Sequence, residues 1–392
     1  MSALTPDRHF DDTARPPMIR RAGRFVCAAM LATTLMAVPV AASATDAIPE
    51  RLQRVMDTLT PASGYRLALF AAVDNARSIA VAPELGGVFI GNRGSNLYFV
   101  RDADGDGVAE DVHLISRDFK LANGIAYKPG TLFVADQHRI VSYDLDGFDG
   151  TKLGPARILF TNLPDKRHHG WRYAALSPDG GRLFVAVGAP CNICKVSGLE
   201  GTIIDIPVTG GAPRIFASGI RNSVGLTFHP DTGALWFTDN GGDNLGDDIP
   251  PEELNHAPEA GQFYGYPWYA GGDTRSPQFR DESLPAGVTF PEFTFPAHNA
   301  ALGLTFYQGD ALIALHGSWN RTEPDGYKVE RVRFEDGKPV DSTPFLAGFL
   351  RENGEVLGRP VDIKPYGDGS ILISDDHASA VWRMVPVGEG GN

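Results

Sequence analysis

Two adjacent histidines, His168 and His169, are followed by Gly170, Trp171 and Arg172 and then by a short apolar run. An imidazole titrates near neutrality and suits the removal of a proton from a hydroxyl. Other side chains that handle charge stand just ahead of later apolar runs: Arg221-Asn222, His298-Asn299 and Gly358-Arg359, with Asn123 in the same relation earlier in the chain. A guanidinium stabilises negative charge developing on an oxygen, and an amide orients it. If these groups face one another they form a site of acid–base and anion-stabilising chemistry. The bland alternative is that each one bonds a neighbouring element.

The elements that must position them recur. Six times the chain repeats a short apolar strand, a turn rich in Pro, Asp and Gly, and a second apolar strand: Ser78–Gly91, Asn123–Ala135, Tyr173–Gly188, Gly225–Asp239, Gly303–Leu315 and Pro360–Asp375. The second strands are anchored by Val88, Leu132, Leu183, Leu235, Leu312 and Ile371. A recurring hairpin of this kind predicts an all-β fold, a six-bladed β-propeller, because one small sheet cannot bury both faces without neighbouring sheets. In a propeller the first strand of each blade lines a central channel, so the segments entering those strands meet at one end of it. Residues 45–66, with a helical stretch at Glu50–Leu59, read as a strap ahead of a propeller over 67–388.

The chain has 45 Gly and 29 Pro among 392 residues, and a formal net charge of −13. Phosphate backbones need clustered Lys and Arg, so nucleic acid is excluded as a partner. Arg20, Arg21 and Arg24 precede an apolar run, Phe25–Ala42, and Ala42–Ala44 supplies small residues for cleavage. Residues 1–44 therefore read as a signal peptide, and the mature protein as periplasmic or secreted and not membrane-spanning. Of three cysteines, Cys27 lies in that signal. Cys191 and Cys194 read as a closed local disulfide, with a redox-active pair as the alternative. Lys195 stands where covalent haem attachment needs His.

A further cluster is Asp102, Asp104, Asp106 and Glu110, with Gly107 at the turn. Its oxygens fall at positions 1, 3, 5 and 9 of a loop, the spacing that wraps Ca²⁺. No glutamate stands at position 12, which is His113. The readings are a hairpin calcium loop or a solvated Asp-Gly turn. Tyr264, Trp268 and Trp319 lie in loops and read either as stacking surfaces or as core between blades.

Several of these segments carry a resemblance: HHGWRYAALSPDG (His168–Gly180), SGIRNSVGLTFHPDTGALWFTDNGGDN (Ser218–Asn244), EELN (Glu252–Asn255), YGYPW (Tyr264–Trp268), HGSWNR (His316–Arg321) and GRPVDI (Gly358–Ile363). They resemble the soluble sugar dehydrogenases of the glucose/sorbosone type, six-bladed propellers that use pyrroloquinoline quinone (PQQ) and Ca²⁺. The resemblance covers most of the mature chain. It implies that His169 is the general base taking the anomeric hydroxyl proton, and that Arg221 and Asn222 lie over the cofactor. It also implies that Arg359 binds a cofactor carboxylate and that the Gly241 and Gly242 carbonyls hold Ca²⁺. The chain departs from the family pattern at four places. His168 replaces an aspartate, Val361 a second arginine, and Ala122-Asn123 a glutamine; Arg321 is the cationic substitute for a lysine within HGSWNR.

The function these readings predict is oxidation of a sugar at its anomeric hydroxyl or aldehyde hydrate, with hydride transfer to PQQ and electrons passing to an external quinone or cytochrome. One alternative is a Ca²⁺-dependent lactonase-type propeller, which needs a side-chain metal cage in the channel. The other is a non-catalytic binding propeller. Oligomeric state and the identity of the sugar are not written in the chain.

Overall fold

Each apolar phrase folds into an antiparallel hairpin, and each hairpin grows outward into a sheet of four or five strands. The computed structural model describes residues 48–388; the expected signal peptide lies outside them. In the first blade the order from the channel outward is Ala76–Ala82, Gly87–Asn92, Leu97–Arg101 and Asp111–Ser116. The next four blades begin at Gly124–Lys128, Ala174–Leu176, Gly225–Phe228 and Ala301–Tyr307. The sixth begins at Pro360–Pro365, and its outermost strand is Tyr65–Ala72, paired antiparallel with Ala380–Pro386. One blade is thus assembled from both ends of the described chain, which closes a ring of six. The six-bladed propeller expected from the repeats is the observed fold.

The second strands are apolar on both faces because each sheet is covered on both sides. Leu132 and Val134 pack with Phe89 and Phe99 of the preceding blade, while Phe133 packs with Leu183 and Val185 of the following one. The same division holds around the ring, giving six apolar clusters between consecutive blades. Full burial of one Leu, Ile or Phe contributes roughly 1.5–3 kcal/mol, so no blade need be stable alone. Ahead of the ring, helix Glu50–Met56 buries Leu52 and Val55 in the cluster between the fifth and sixth blades. Thr60–Pro61 then adds a short strand to the fifth. Among the described residues no helix is long and apolar enough to cross a membrane.

Antiparallel pairing has a direct consequence for the site. The start of each innermost strand lies opposite the end of the second: Ala76 faces Asn92, Gly124 faces Ala135, and Gly225 faces Thr238. Likewise Ala301 faces Leu315, and Pro360 faces Asp375. Two loops per blade therefore emerge on one face: the segment entering the first strand and the segment leaving the second.

Candidate active site

On that face lies a cavity of about 670 Å³ whose wall includes Arg77, Trp171, Asn222, Ala300 and Arg359 from entering segments, and Arg93, Asn240, His316 and Trp319 from leaving segments. His168, His169, Arg221, Gly241, Asp243, Glu252 and His298 complete much of the rest. The volume is in the range of small-molecule and cofactor sites.

His169 is held by its backbone and by one hydrogen bond. Its φ is +50°, a conformation side chains rarely adopt. Gly188 makes the room: a Cβ there would lie 2.5 Å from the His169 Cβ. The ring Nδ1 is 2.9 Å from the Ala189 carbonyl oxygen. A carbonyl only accepts, so Nδ1 carries the hydrogen and Nε2 is left as a base. Burial, then the charge of Arg221 and the neighbouring His168, push its pKa well below the usual value. The imidazole is therefore neutral and able to accept a proton at neutral pH. The His168 ring lies 4.0 Å away, centroid to centroid, and its own pKa is lowered by burial and by Arg221.

Arg221 is rigidly held. Its Nε donates to the Asn192 carbonyl oxygen at 2.9 Å and one Nη to the Asn240 carbonyl oxygen at 3.1 Å. The other Nη donates to the Asn192 side-chain oxygen at 2.7 Å and to Asp243 at 2.6 Å. Four of its five N–H groups are thus committed, leaving one for a ligand. Asn192 belongs to the loop closed by the Cys191–Cys194 disulfide. The Arg221 and Asn222 backbone N–H groups both donate to the buried Asp239 carboxylate, at 2.7 and 2.6 Å. That leaves the Asn222 amide on the cavity wall.

The opposite wall is built around Asp376, which is fully buried. It accepts His316 Nε2 at 2.9 Å, Arg77 Nη1 at 2.7 Å and Arg93 Nη1 at 3.1 Å. These neighbours outweigh burial and hold its carboxyl well below the usual range. Burial lowers His316 to about 4, so it is neutral. The Trp171 ring lies 5.7 Å from the Arg77 guanidinium carbon and 5.8 Å from that of Arg93. Arg359 donates to the His316 and Gly317 carbonyl oxygens, and its guanidinium lies 5.4 Å from the Tyr327 ring. No carboxylate pairs with it among the described residues. The charges of Arg93 and Arg359 both bear on Arg77, and that of Arg93 bears on Arg359. One carboxylate among three guanidiniums leaves this wall cationic, a cradle for an anionic planar group.

Two expected contacts are corrected. Arg321 does not line the cavity: it donates to the Asp247 and Ala297 carbonyl oxygens and lies 3.6 Å from Asp248. Asn123 is buried beneath the wall, accepting Arg77 Nε at 2.8 Å and donating to the Arg172 carbonyl oxygen at 2.6 Å. It positions Arg77 and does not face the cavity. Val361 is core. Of the aromatics, Trp319 stands on the rim with 69% of its surface exposed, Tyr264 is core, and Trp268 faces a separate pocket.

Gly241 and Gly242 leave no space for side chains. A Cβ on Gly241 would lie 2.8 Å from the Pro251 carbonyl oxygen, and one on Gly242 would lie 3.1 Å from Ile193. Their N–H groups donate to Glu252 Oε2 at 3.0 Å and to the Ala270 carbonyl oxygen at 2.6 Å. Among the described residues neither carbonyl receives a hydrogen bond. Free carbonyls beside a buried carboxyl fit a hard cation. Asp102, Asp104, Asp106 and Glu110 do come together, with one oxygen from each within 4.8 Å of the others. Their loop joins the third and fourth strands of the first blade and so lies at the end away from the cavity. Among the described residues it is the one such group of His, Cys, Asp or Glu.

Arg77, Arg93, Trp171, His316, Asp376 and Glu252 were not singled out from sequence. Arg77 stands immediately before the first repeat, so the rule that found Arg221 and Arg359 reaches it. Arg93, His316 and Asp376 follow second strands, a position marked by the antiparallel pairing alone.

Residues 133–383 match the family model described as Glucose / Sorbosone dehydrogenase. An uncharacterized protein of Borreliella burgdorferi is 30% identical over 355 residues, covering 85% of this chain and 92% of its own. A pyrroloquinoline quinone-dependent pyranose dehydrogenase of Coprinopsis cinerea is 26% identical over 65% of this chain, and the match spans 44% of its own length, less than half. Among solved structures, the calcium structure of a Trichoderma reesei carbohydrate-active enzyme of family AA12 superposes with a TM-score of 0.74 at 21% identity, covering 84% of this chain and 97% of that one. At that identity the likeness concerns the fold.

Proposed function

The chain belongs to the glucose/sorbosone dehydrogenase family, and we propose that it is a quinoprotein that oxidises a sugar at its anomeric hydroxyl or aldehyde hydrate. The observation that carries the reading is the pairing, across one cavity, of a neutral imidazole with a free Nε2 and a wall of three guanidiniums around one carboxylate. PQQ is a planar tricarboxylate, and Arg359, Arg77 and Arg93 would hold its carboxylates. Arg221 and Asn222 would lie over it, and the carbonyls of Gly241 and Gly242 would hold Ca²⁺ beside it. When bound, the quinone supplies a hydride acceptor.

What the protein's own residues do follows from their geometry. His169 Nε2 takes the proton of the sugar's O1–H, while the Ala189 carbonyl fixes the tautomer that makes this possible. Arg221 has one N–H left for an oxygen that gains charge, and the Asn192–Asp243 clamp removes the need for it to reorganise. Asp376 orients His316 and the two arginines, so the cationic wall is set before any ligand arrives. Electrons then pass to an external acceptor, a quinone or cytochrome, and the protein acts in the periplasm or outside the cell. The Asp102–Glu110 loop would bind a second Ca²⁺ that stabilises the first blade.

A lactonase needs a metal held by Glu, Asp and Asn side chains in the channel, and here Asp243 is committed to Arg221 and Asn320 and the Asn240 amide to the Ala301 carbonyl oxygen. A binding propeller has no use for a tautomer-locked neutral histidine. The test is reconstitution of the purified protein with PQQ and Ca²⁺, followed by dye reduction over a panel of aldoses with and without His169→Ala. Cofactor binding without reduction of dye by any sugar, or full activity in the variant, defeats the proposal.

A further inference from the structure

We propose that the sugar this cavity selects is anionic, an aldose carrying a carboxylate at the end remote from C1 such as a uronic acid, and that Arg167 recognises that carboxylate. The inference rests on the dehydrogenase reading above and names its substrate class.

Five guanidiniums line the cavity: Arg77, Arg93, Arg167, Arg221 and Arg359. Four are held by the protein. Arg77 and Arg93 share Asp376, Arg221 is clamped by Asn192, Asn240 and Asp243, and Arg359 donates to two carbonyls. Arg167 is different. It is exposed, and among the described residues its guanidinium makes neither an ion pair nor a hydrogen bond. A cation left free on a cavity wall stays hydrated at little cost and binds only when an anion arrives.

Its place on the wall separates it from the cofactor cradle. The charges that bear on Arg77 are those of Asp376, Arg93 and Arg359, and those that bear on Arg359 are Tyr327, Asp376, Arg93 and Asp375. Arg167 stands instead in the segment of His169, two residues before it. Their Cα atoms are at most about 7 Å apart. A pyranose with its anomeric hydroxyl at His169 Nε2 has its far end within reach of an arginine side chain so placed. Trp319, exposed on the same rim, offers a flat apolar surface to the ring. The chain carries a net charge of −13, so its general surface repels an anionic sugar. A cationic rim at the cavity mouth reverses that field locally and favours entry there.

The reaction balances with the oxidant already named. C1 gives a hydride to the quinone, O1 gives its proton to His169, the uronate becomes its lactone, and the carboxylate is unchanged.

The test uses the protein reconstituted with PQQ and Ca²⁺ and compares kcat/KM for glucuronate against glucose, galacturonate against galactose, and glucose 6-phosphate as a differently charged control. The expected result is a preference for each uronate of about 10-fold or more, the size of one charge-assisted contact, shrinking as salt rises. Arg167→Gln should bring the uronate-to-aldose ratio close to one, with the loss falling on KM rather than kcat, and Arg167→Lys should restore part of it. PQQ affinity, read by fluorescence titration, separates the two roles an arginine could have here. Equal efficiency for charged and neutral sugars, preference for the phosphate ester over the uronate, or an Arg167→Gln variant that loses PQQ affinity without altering the ratio would each overturn the inference and leave the dehydrogenase standing. A protein that binds PQQ but oxidises no sugar overturns both.

Discussion

Replacing Glu252 by Gln should make the protein more stable in mildly alkaline solution and leave it unchanged in mildly acidic solution. The Glu252 carboxyl is fully buried at the cavity wall, and burial lifts its pKa from 4.5 to about 8. A carboxyl raised in this way keeps its proton in the folded protein while the unfolded chain releases it. Stability is therefore lost as pH climbs from about 4.5 to 8. At roughly 1.4 kcal/mol per pH unit the whole window amounts to at most about 5 kcal/mol. Glutamine keeps the shape and an acceptor oxygen for the Gly241 N–H but never ionises. Unfolding entropy of about 2.1 cal/mol/K per residue gives roughly 0.7 kcal/mol per kelvin for a propeller of this size. A gain of about 2–5 kcal/mol at pH 8.5 then appears as a rise of roughly 3–7 °C in Tm. The assay is thermal or urea unfolding of both proteins in EDTA at pH 5 and 8.5. Adding Ca²⁺ at pH 8.5 should narrow the gap, because a cation on the adjacent glycine carbonyls favours the ionised wild-type carboxyl. A variant destabilised by the same amount at both pH values would refute the reasoning, since it would mean that ionised Glu252 is fully satisfied in the fold.

Asp376→Asn should destabilise by about 3–5 kcal/mol at neutral pH, because it leaves two guanidiniums without their buried counter-charge. The folded carboxyl is depressed, so its contribution is complete above about pH 4 and fades at lower pH; the difference from wild type in urea midpoints should shrink only there. His169→Ala should lower kcat by about 10²–10⁴ with PQQ affinity retained. Because burial holds the His169 pKa well below 6.5, the acid limb of wild-type kcat/KM should fall below that pH, as a pH–rate profile will show. Arg359→Ala should weaken PQQ binding at least 10-fold by titration while Arg321→Ala leaves it unaltered, since only the first guanidinium faces the cavity.

The propeller was legible because its cause is periodic: each second strand is apolar on both faces, and that pattern needs a neighbour on each side. His169, Arg221, Asn222 and Arg359 were legible for a related reason, as they enter first strands at equivalent points. The other half of the site was not. Arg93, His316 and Asp376 leave second strands, and only strand pairing shows that this end of the hairpin shares a face with the entering segments. Arg321 misled because charge type in a sequence says nothing of direction; its guanidinium finds carbonyls of a neighbouring loop. Asn123 sits at the right repeat position, yet its amide is consumed by Arg77 and by the Arg172 carbonyl.

The sixth blade joins Tyr65–Ala72 to Ala380–Pro386, residues more than 300 positions apart. Five blades can form from chain that is nearly contiguous, but the last pairing waits for the final strand to be made. Until then the first strand has no edge to join, and the apolar faces on either side of the gap lie open. Assembly of this ring is therefore a late, long-range event. A nascent chain of this design must be made as far as Pro386 before the ring can lock, which keeps it pliable until then.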